Sequence, residues 1–411
     1  MSFVSHVECT VCGQHHPWTR LTTVCERCGQ MLAVRYDLPR VAASLDKDTL
    51  RGRPPGMYRF RELTPLADGE EPVTLGEGST PLLRMPRLAT HLGLRRIWAK
   101  DEGQNPTGSF KARGLGMAIT RARTLGVRGF VIPSAGNAGG AAAAYGARAG
   151  LPVAVIVPRA TPAGAVAEAL ITGARVFTIE GSIADAGKIV ASVAPRVGWF
   201  DLSTLKEPYR LEGKKTMGLE LAEQLDWRLP DVLLYPTGGG TGLVGIPKGF
   251  EELREIGWIS GASPRIFAIQ AEGCAPVVKA FKEGADVTTP WPNPTTQAAG
   301  LRVPSPFAGR QMLRILRQSG GGALAVSDKA IEDAQRLVAR LEGIWTVPEA
   351  AALVAALMQM ADAGDVRRDD EIVMIFTGAG IKYEPPPLPS PIDLSGSEAD
   401  IVARVCAALG S

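Results

Sequence analysis

The sequence predicts an α/β fold of parallel sheets covered by helices on both faces, divided into two doubly wound units, and two observations predict it. Between residues 112 and about 205, short β-branched runs alternate with alanine- and glycine-rich helical stretches. Beyond residue 206 further apolar runs each end in a glycine-rich loop, the pattern of strands whose carboxyl ends open onto a ligand. At 411 residues, 45% hydrophobic and 21% charged, the chain can fill two cores and carry an appendage. A formal charge of +3 is too small to point to nucleic acid or an anionic membrane. No stretch reaches the roughly 20 apolar residues of a membrane span. The start, Met-Ser-Phe-Val-Ser-His-Val-Glu-Cys, lacks a basic region followed by an apolar core, so the expected location is the cytoplasm.

The appendage comes first. Cys9 and Cys12, then Cys25 and Cys28, form two Cys-x-x-Cys-Gly turns in residues 1–40. Gly13 and Gly29 let the backbone continue past each second sulfur, and two such turns supply a tetrahedral four-thiolate site for a structural zinc. A degenerate ribbon without metal, or a redox dithiol, is the alternative. His6, His15 and His16 lie nearby but are not needed as ligands. Arg20, Arg27, Arg35 and Arg40 face Glu8, Glu26 and Asp37, which is a poor footprint for nucleic acid. The module is expected to be structural, packing on the body or on a partner subunit.

Pro54 and Pro55 mark a linker, and Val73 to Leu82 reads as an irregular loop opening the body. A short helix is expected over 87–92 and a strand over 96–100. The turn-rich stretch Gln104 to Gly114 then places Lys111 between that strand and a helix over 114–124. An amine held in such a cleft can form a Schiff base with an aldehyde and afterwards move protons. By base rate a lysine is more often a surface cation.

Strands are expected over 129–133, 153–157, 175–179 and 199–201, with helices over 139–149, 163–172 and 183–194 between them. The first of these strands ends in Ser134, Ala135, Gly136 and Asn137, a loop able to offer N–H groups to a carboxylate and an amide to a phenolate-like oxygen. Helix capping by Ser134 or Asn137 is the equal alternative. The strand 231–235 runs into Gly238, Gly239, Gly240, Thr241 and Gly242 and a helix to about Arg254, an arrangement that cradles a phosphate. Gly240, Gly242 and Gly245, with Glu272 after a strand over 266–270, also satisfy a dinucleotide-binding fingerprint. The strand 371–376 ends in Thr377, whose hydroxyl suits a ring nitrogen or an ordinary turn cap. A proline-rich linker over 385–391 leads to a short helix whose Ile401, Val402, Val405 and Leu409 are expected to dock on the body or a second subunit.

An amine, an oxygen-binding loop, a phosphate cradle and a ring-nitrogen partner together match pyridoxal phosphate better than a nicotinamide dinucleotide. Asn105-Pro-Thr-Gly-Ser-Phe-Lys-Ala-Arg-Gly114 resembles the lysine motif of fold-type II pyridoxal-phosphate-dependent enzymes, most closely that of the threonine synthase family. Leu75-Gly-Glu-Gly-Ser-Thr-Pro-Leu82, Pro208-Tyr-Arg-Leu-Glu-Gly-Lys-Lys-Thr216 and Thr377-Gly-Ala-Gly-Ile-Lys382 are similar to three further motifs of that family, so the resemblance runs from about 73 to 384. It implies a tryptophan synthase β-like architecture. A large cofactor domain (41–111 and 206–390) would hold a small mobile domain (112–205), with 1–40 and 391–411 as a zinc-ribbon-like module and a C-terminal linker and helix.

The resemblance further implies a homodimer acting on a small amino-acid substrate, converting O-phosphohomoserine and water to threonine and phosphate. Lys111 would hold the cofactor and act as acid and base. Asn137 would bind its phenolic oxygen, residues 238–242 its phosphate and Thr377 its ring nitrogen. Arg210 would meet the substrate phosphate. Two departures point elsewhere: Ala112 stands where the family usually has Asp, and Ser203-Thr-Leu-Lys-Glu207 replaces an Asn-Ser-x-Asn stretch. A carboxylate at Glu207 would oppose a substrate phosphate unless Lys206, Lys214 or Lys215 offset it. Serine or threonine dehydration, or β-replacement, on the same scaffold is therefore the alternative reaction. A nicotinamide oxidoreductase and a ribbon-mediated interaction protein with an inactive body are more distant ones.

Overall fold

The computed structural model describes residues 2–409; Met1 and the last two positions of the 391–411 segment lie outside the described residues. Three sheets organise them. The first is antiparallel and belongs to the cysteine module, with β1 (Val4–Cys9) between β2 (His15–His16) and β3 (Leu32–Tyr36).

The large sheet holds β4 (Leu82–Arg84), β5 (Arg96–Asp101), β10 (Val232–Pro236), β11 (Arg265–Ala271), β12 (Gly322–Val326) and β13 (Glu371–Phe376), in the order β12-β11-β10-β13-β5-β4. All its pairings are parallel except β4 on β5. The small sheet is wholly parallel and holds β6 (Phe130–Pro133), β7 (Val153–Pro158), β8 (Arg175–Ile179) and β9 (Phe200–Asp201), in the order β8-β7-β6-β9. β7, β10 and β13 are buried along their whole length, as strands covered on both faces must be.

In each sheet the winding reverses at one place: between β10 and β13 in the large sheet, and between β6 and β9 in the small one. At such a reversal the connections leave in opposite directions and open a crevice beyond the carboxyl ends of the strands. The loops after β5, β10 and β13 carry Lys111, the glycine run and Thr377. Those after β6 and β9 carry Ser134 to Asn137 and Arg210. The two reversal points thus converge on one crevice.

The expected strands form with ends shifted by at most one residue. The helix after Lys111 begins earlier than the pattern suggested: it runs Lys111–Thr124, so the lysine is its first residue. The pattern does not partition residues 273–370, which fold into helices Pro276–Lys282, Gly309–Gln318, Asp328–Glu342 and Pro348–Ala363 around β12. The C-terminal helix Glu398–Leu409 has no buried residue, and Val402 and Leu409 are exposed, so within this chain it does not dock on the body.

Helices Lys111–Thr124 and Tyr209–Gln224 cross at contact distance. A Cβ on Gly114 would lie 3.0 Å from the Arg210 carbonyl oxygen, and one on Gly213 would run into the Arg113 carbonyl. Those two glycines let the lysine-bearing and arginine-bearing helices start side by side. The cysteine module is fastened to the second helix. Tyr36 donates to Glu212 at 2.7 Å, and Lys215 sits 3.9 Å from the centre of its ring. Arg121 stacks on Trp18 at 4.6 Å, and Gln311 donates to Thr10 at 2.6 Å. The expectation of packing on the body is met.

Candidate active site

A cavity of about 540 Å³ lies in the crevice. Lys111, Ser134, Ala135, Gly136, Asn137, Arg210, Gly238, Gly239, Gly240, Thr241 and Thr377 all line it. Gly242 does not; its N–H is bound instead to the Tyr235 hydroxyl at 3.2 Å. Residues separated by more than 250 positions in sequence are joined directly, since the Phe110 N–H donates to the Thr377 carbonyl at 3.0 Å. That bond ties the lysine turn to the end of β13.

The ammonium nitrogen of Lys111 lies 3.8 Å from the centre of the Phe110 ring, and the side chain is half-buried in the cavity wall. Burial, reinforced by the positive charge of Arg210 and partly opposed by Glu349, brings it down to about 7. Lys214 lies 4.5 Å from the same ring and donates to the Phe110 carbonyl. Burial and the charges of Lys111 and Arg210 hold it well below the usual lysine range.

The 134–137 loop resolves an ambiguity. The Ser134 hydroxyl accepts from Gly139 N–H at 2.8 Å and Gly136 N–H at 3.2 Å, so it secures the start of helix Asn137–Ala149. Among the described residues the Asn137 amide is spent on no such bond and remains available to a ligand. The glycine run is an emptied wall: side chains at Gly238 or Gly240 would collide with the Gly300 carbonyl and Met312, respectively. Gly240 adopts φ +76°, and helix Thr241–Glu255 begins directly after it. Backbone N–H groups at a helix N-terminus, with no side chain in front of them, suit a phosphate. A half-buried amine, an available amide, that cradle and the Thr377 hydroxyl fit pyridoxal phosphate group by group.

The stretch that weakened the substrate assignment has a different meaning in three dimensions. Glu207 is fully buried outside the cavity wall, and accepts from the N–H groups of Tyr209 at 2.7 Å and Arg210 at 3.0 Å. It therefore caps the arginine-bearing helix, and burial raises it to about 7, partly offset by Arg210. Ser203, Thr204 and Lys206 do line the cavity, and the Ser203 hydroxyl is buried without a partner. Arg210 donates to the Leu202 carbonyl at 2.6 Å, which fixes its guanidinium at the wall. Ala112 is buried in the core, away from the cavity lining. Sequence reading missed Lys188, Glu349, Tyr383 and the 299–307 segment, all of which line the cavity. None carries a local signal beyond an acid in a helix's first turn.

The dinucleotide fingerprint loses its supports. Glu272, which would meet a ribose, is exposed and away from the cavity, and a Cβ on Gly245 would lie 3.0 Å from the Lys214 side chain. Gly245 thus serves helix packing.

In the module, the four cysteine sulfurs lie within 4.8 Å of one another, with three separations of 3.5, 3.6 and 3.5 Å. A tetrahedral zinc–thiolate site requires about 3.8 Å between sulfurs. Gly13 and Gly29 take φ +70° and +69°, as the turns require. The donor set fits zinc.

Comparison with known proteins gives three findings. Residues 73–378 match the family model described as pyridoxal-phosphate dependent enzyme. The chain is 40% identical over 378 residues to threonine synthase of Methanosarcina acetivorans, covering 92% of each chain. It is 38% identical to threonine synthase of Methanocaldococcus jannaschii, covering 91% of this chain and 92% of that one. Among solved structures, maize serine racemase superposes with a TM-score of 0.64 at 22% identity, covering 80% of this chain and 92% of that chain. That last likeness concerns the fold alone.

Proposed function

The chain belongs to the pyridoxal-phosphate dependent enzymes and, among them, to the threonine synthase family, and from that premise we propose that it converts O-phosphohomoserine and water to threonine and phosphate. The observation that carries this reading is one cavity lined by two kinds of group. Lys111, Asn137, Gly238 to Thr241 and Thr377 suit the cofactor, and Ser203, Lys206 and Arg210 suit a second phosphate.

Pyridoxal phosphate, when bound, draws electrons from the amino acid attached to it, so that protons on Cα and then Cβ become removable. Lys111 is the group that takes them. With its ammonium form destabilised by burial, it exists in both protonation states near neutral pH and can both accept and return a proton. Removal of the Cβ proton lets phosphate leave from Cγ; Lys111 returns one proton to Cγ, which becomes the methyl group, and one to Cα, while water adds its hydroxyl at Cβ and gives its proton to the phosphate. Arg210, Lys206 and Ser203 orient the departing phosphate and carry its charge. Asn137 and Thr377 would hold the cofactor ring in the cavity that Lys111 also lines.

Dehydration or β-replacement drew its support from Ala112 and the 203–207 stretch; Ala112 and Glu207 lie off the cavity wall, while Ser203, Thr204 and Lys206 line it and suit the substrate phosphate. The deciding experiment incubates the holoenzyme with O-phosphohomoserine and assays phosphate, threonine and keto acid together. Equal threonine and phosphate are expected. Keto acid without threonine, or no turnover, overturns the reading.

Zinc in the four-cysteine site completes the proposal, with the enzyme a homodimer, as its family resemblance implies. Freshly purified protein should contain one zinc per chain by elemental analysis. Cys12→Ser should lose it and melt at a lower temperature, because Tyr36 and Trp18 of the module brace the body. Metal-free wild-type protein with unchanged melting would remove the zinc assignment.

A further inference from the structure

Six basic side chains line the cavity, namely Lys111, Lys188, Lys206, Arg210, Lys214 and Arg302; among the described residues a single carboxylate, Glu349, accompanies them. Glu349 lies in the first turn of helix Pro348–Ala363 and is 6% exposed. Its Oε1 accepts from the Gly300 N–H at 2.6 Å and from the Tyr383 hydroxyl at 3.0 Å. Its Oε2 is buried with no hydrogen-bond partner. Leaving a buried acceptor unpaired costs folding free energy. A group held rigidly by one oxygen and left unpaired at the other, in the wall of a ligand cavity, is an acceptor awaiting a donor.

The donor follows from the chemistry of the substrate. A phosphorylated α-amino acid carries two anionic ends and one cationic group. The anionic ends have Arg210, Lys206 and the 134–137 loop to meet them. The α-ammonium has Glu349. The inference rests on the reading of this cavity as an amino-acid site. We propose that Glu349 Oε2 docks the substrate's α-ammonium and takes one proton from it. One N–H bond breaks and one O–H bond forms; the nitrogen keeps its electron pair and becomes a neutral amine, and the carboxylate becomes a carboxylic acid. The proton returns to nitrogen as product leaves.

Glu349→Gln tests this, because the amide oxygen still accepts from Gly300 and Tyr383 while the free oxygen becomes an NH2 donor. The variant holoenzyme should bind pyridoxal phosphate at wild-type stoichiometry, read from its visible absorption. Its KM for O-phosphohomoserine should rise about tenfold or more, the size of a lost charge-assisted hydrogen bond. The inhibition constant of 4-phosphooxybutanoate, which lacks only the amino group, should stay within about twofold. Equal weakening of both ligands would assign Glu349 a role in cavity shape alone, and an unchanged KM would also overturn the proposal. If the wild-type enzyme is inert toward O-phosphohomoserine, the functional reading fails. The same comparison made with threonine and 3-hydroxybutanoate then decides the Glu349 assignment separately, and failure of the enzyme to bind any amino acid overturns both.

Discussion

Lys111→Ala is expected to lower threonine formation by at least about a thousandfold, the combined effect of losing the cofactor's covalent partner and the amine proposed to move protons from both substrate carbons. Pyridoxal phosphate should still bind, since Gly238 to Thr241 hold its phosphate independently, but its visible band should shift because no lysine is joined to it. Lys214, 4.5 Å from the ring that Lys111 also faces, is not expected to substitute for it. Its bond to the Phe110 carbonyl and its place on the second helix keep it occupied. Retention of more than a tenth of wild-type turnover in Lys111→Ala would remove Lys111 from its role. In wild-type protein stripped of cofactor, the rate of pyridoxal phosphate uptake should climb as pH rises through about 7, because only the neutral amine attacks an aldehyde.

The second large effect lies beneath the cavity. Arg113→Met should destabilise the fold by about 3–5 kcal/mol, read as a lower midpoint in urea unfolding. Arg113 is fully buried and donates to Glu102 at 2.6 and 2.8 Å and to Glu220 at 2.7 Å through each of two nitrogens. Lys100 reaches Glu220 at 2.8 Å. Removing the guanidinium leaves two buried carboxylates facing one ammonium. Burial alone would raise Glu102 and Glu220, but Arg113 and Lys100 outweigh it and hold both below the ordinary carboxylate range. Carboxylates depressed in the folded state stabilise it above their unfolded pKa, and that contribution fades as pH falls toward the folded value. The penalty in Arg113→Met should therefore be largest at neutral pH and shrink below about pH 4. A penalty independent of pH would show that lost packing, not the ion network, sets the stability.

That network explains why several sequence motifs were recognisable although few of their residues touch the cavity. Thr80, in the loop that opens the body, donates to Glu102 at 2.6 Å, and the Ser79 N–H donates to Glu220 at 2.8 Å. Asn105 receives the Gly78 N–H at 3.1 Å and donates to Glu102 at 2.9 Å. The loop, the lysine motif and the arginine-bearing helix are stitched together by buried polar groups that each require a specific partner. Much of what marks the family in the sequence is this frame, and the chemistry hangs from it on Lys111 and Arg210.

The sequence by itself determined the strand-and-helix alternation, the lysine, the glycine cradle and the paired cysteine turns. Each of those signals is local: apolar periodicity, a run of residues without Cβ, a fixed spacing of thiols. Tertiary structure decided everything that depends on which way a side chain points once distant segments meet. Glu207, next to the expected phosphate site, turned back to cap its own helix, while Glu349, more than 200 residues from Lys111, came to stand in the same wall. A carboxylate's role is set by the donors around it, and for these two only the folding of both sheets about one crevice brings those donors into place.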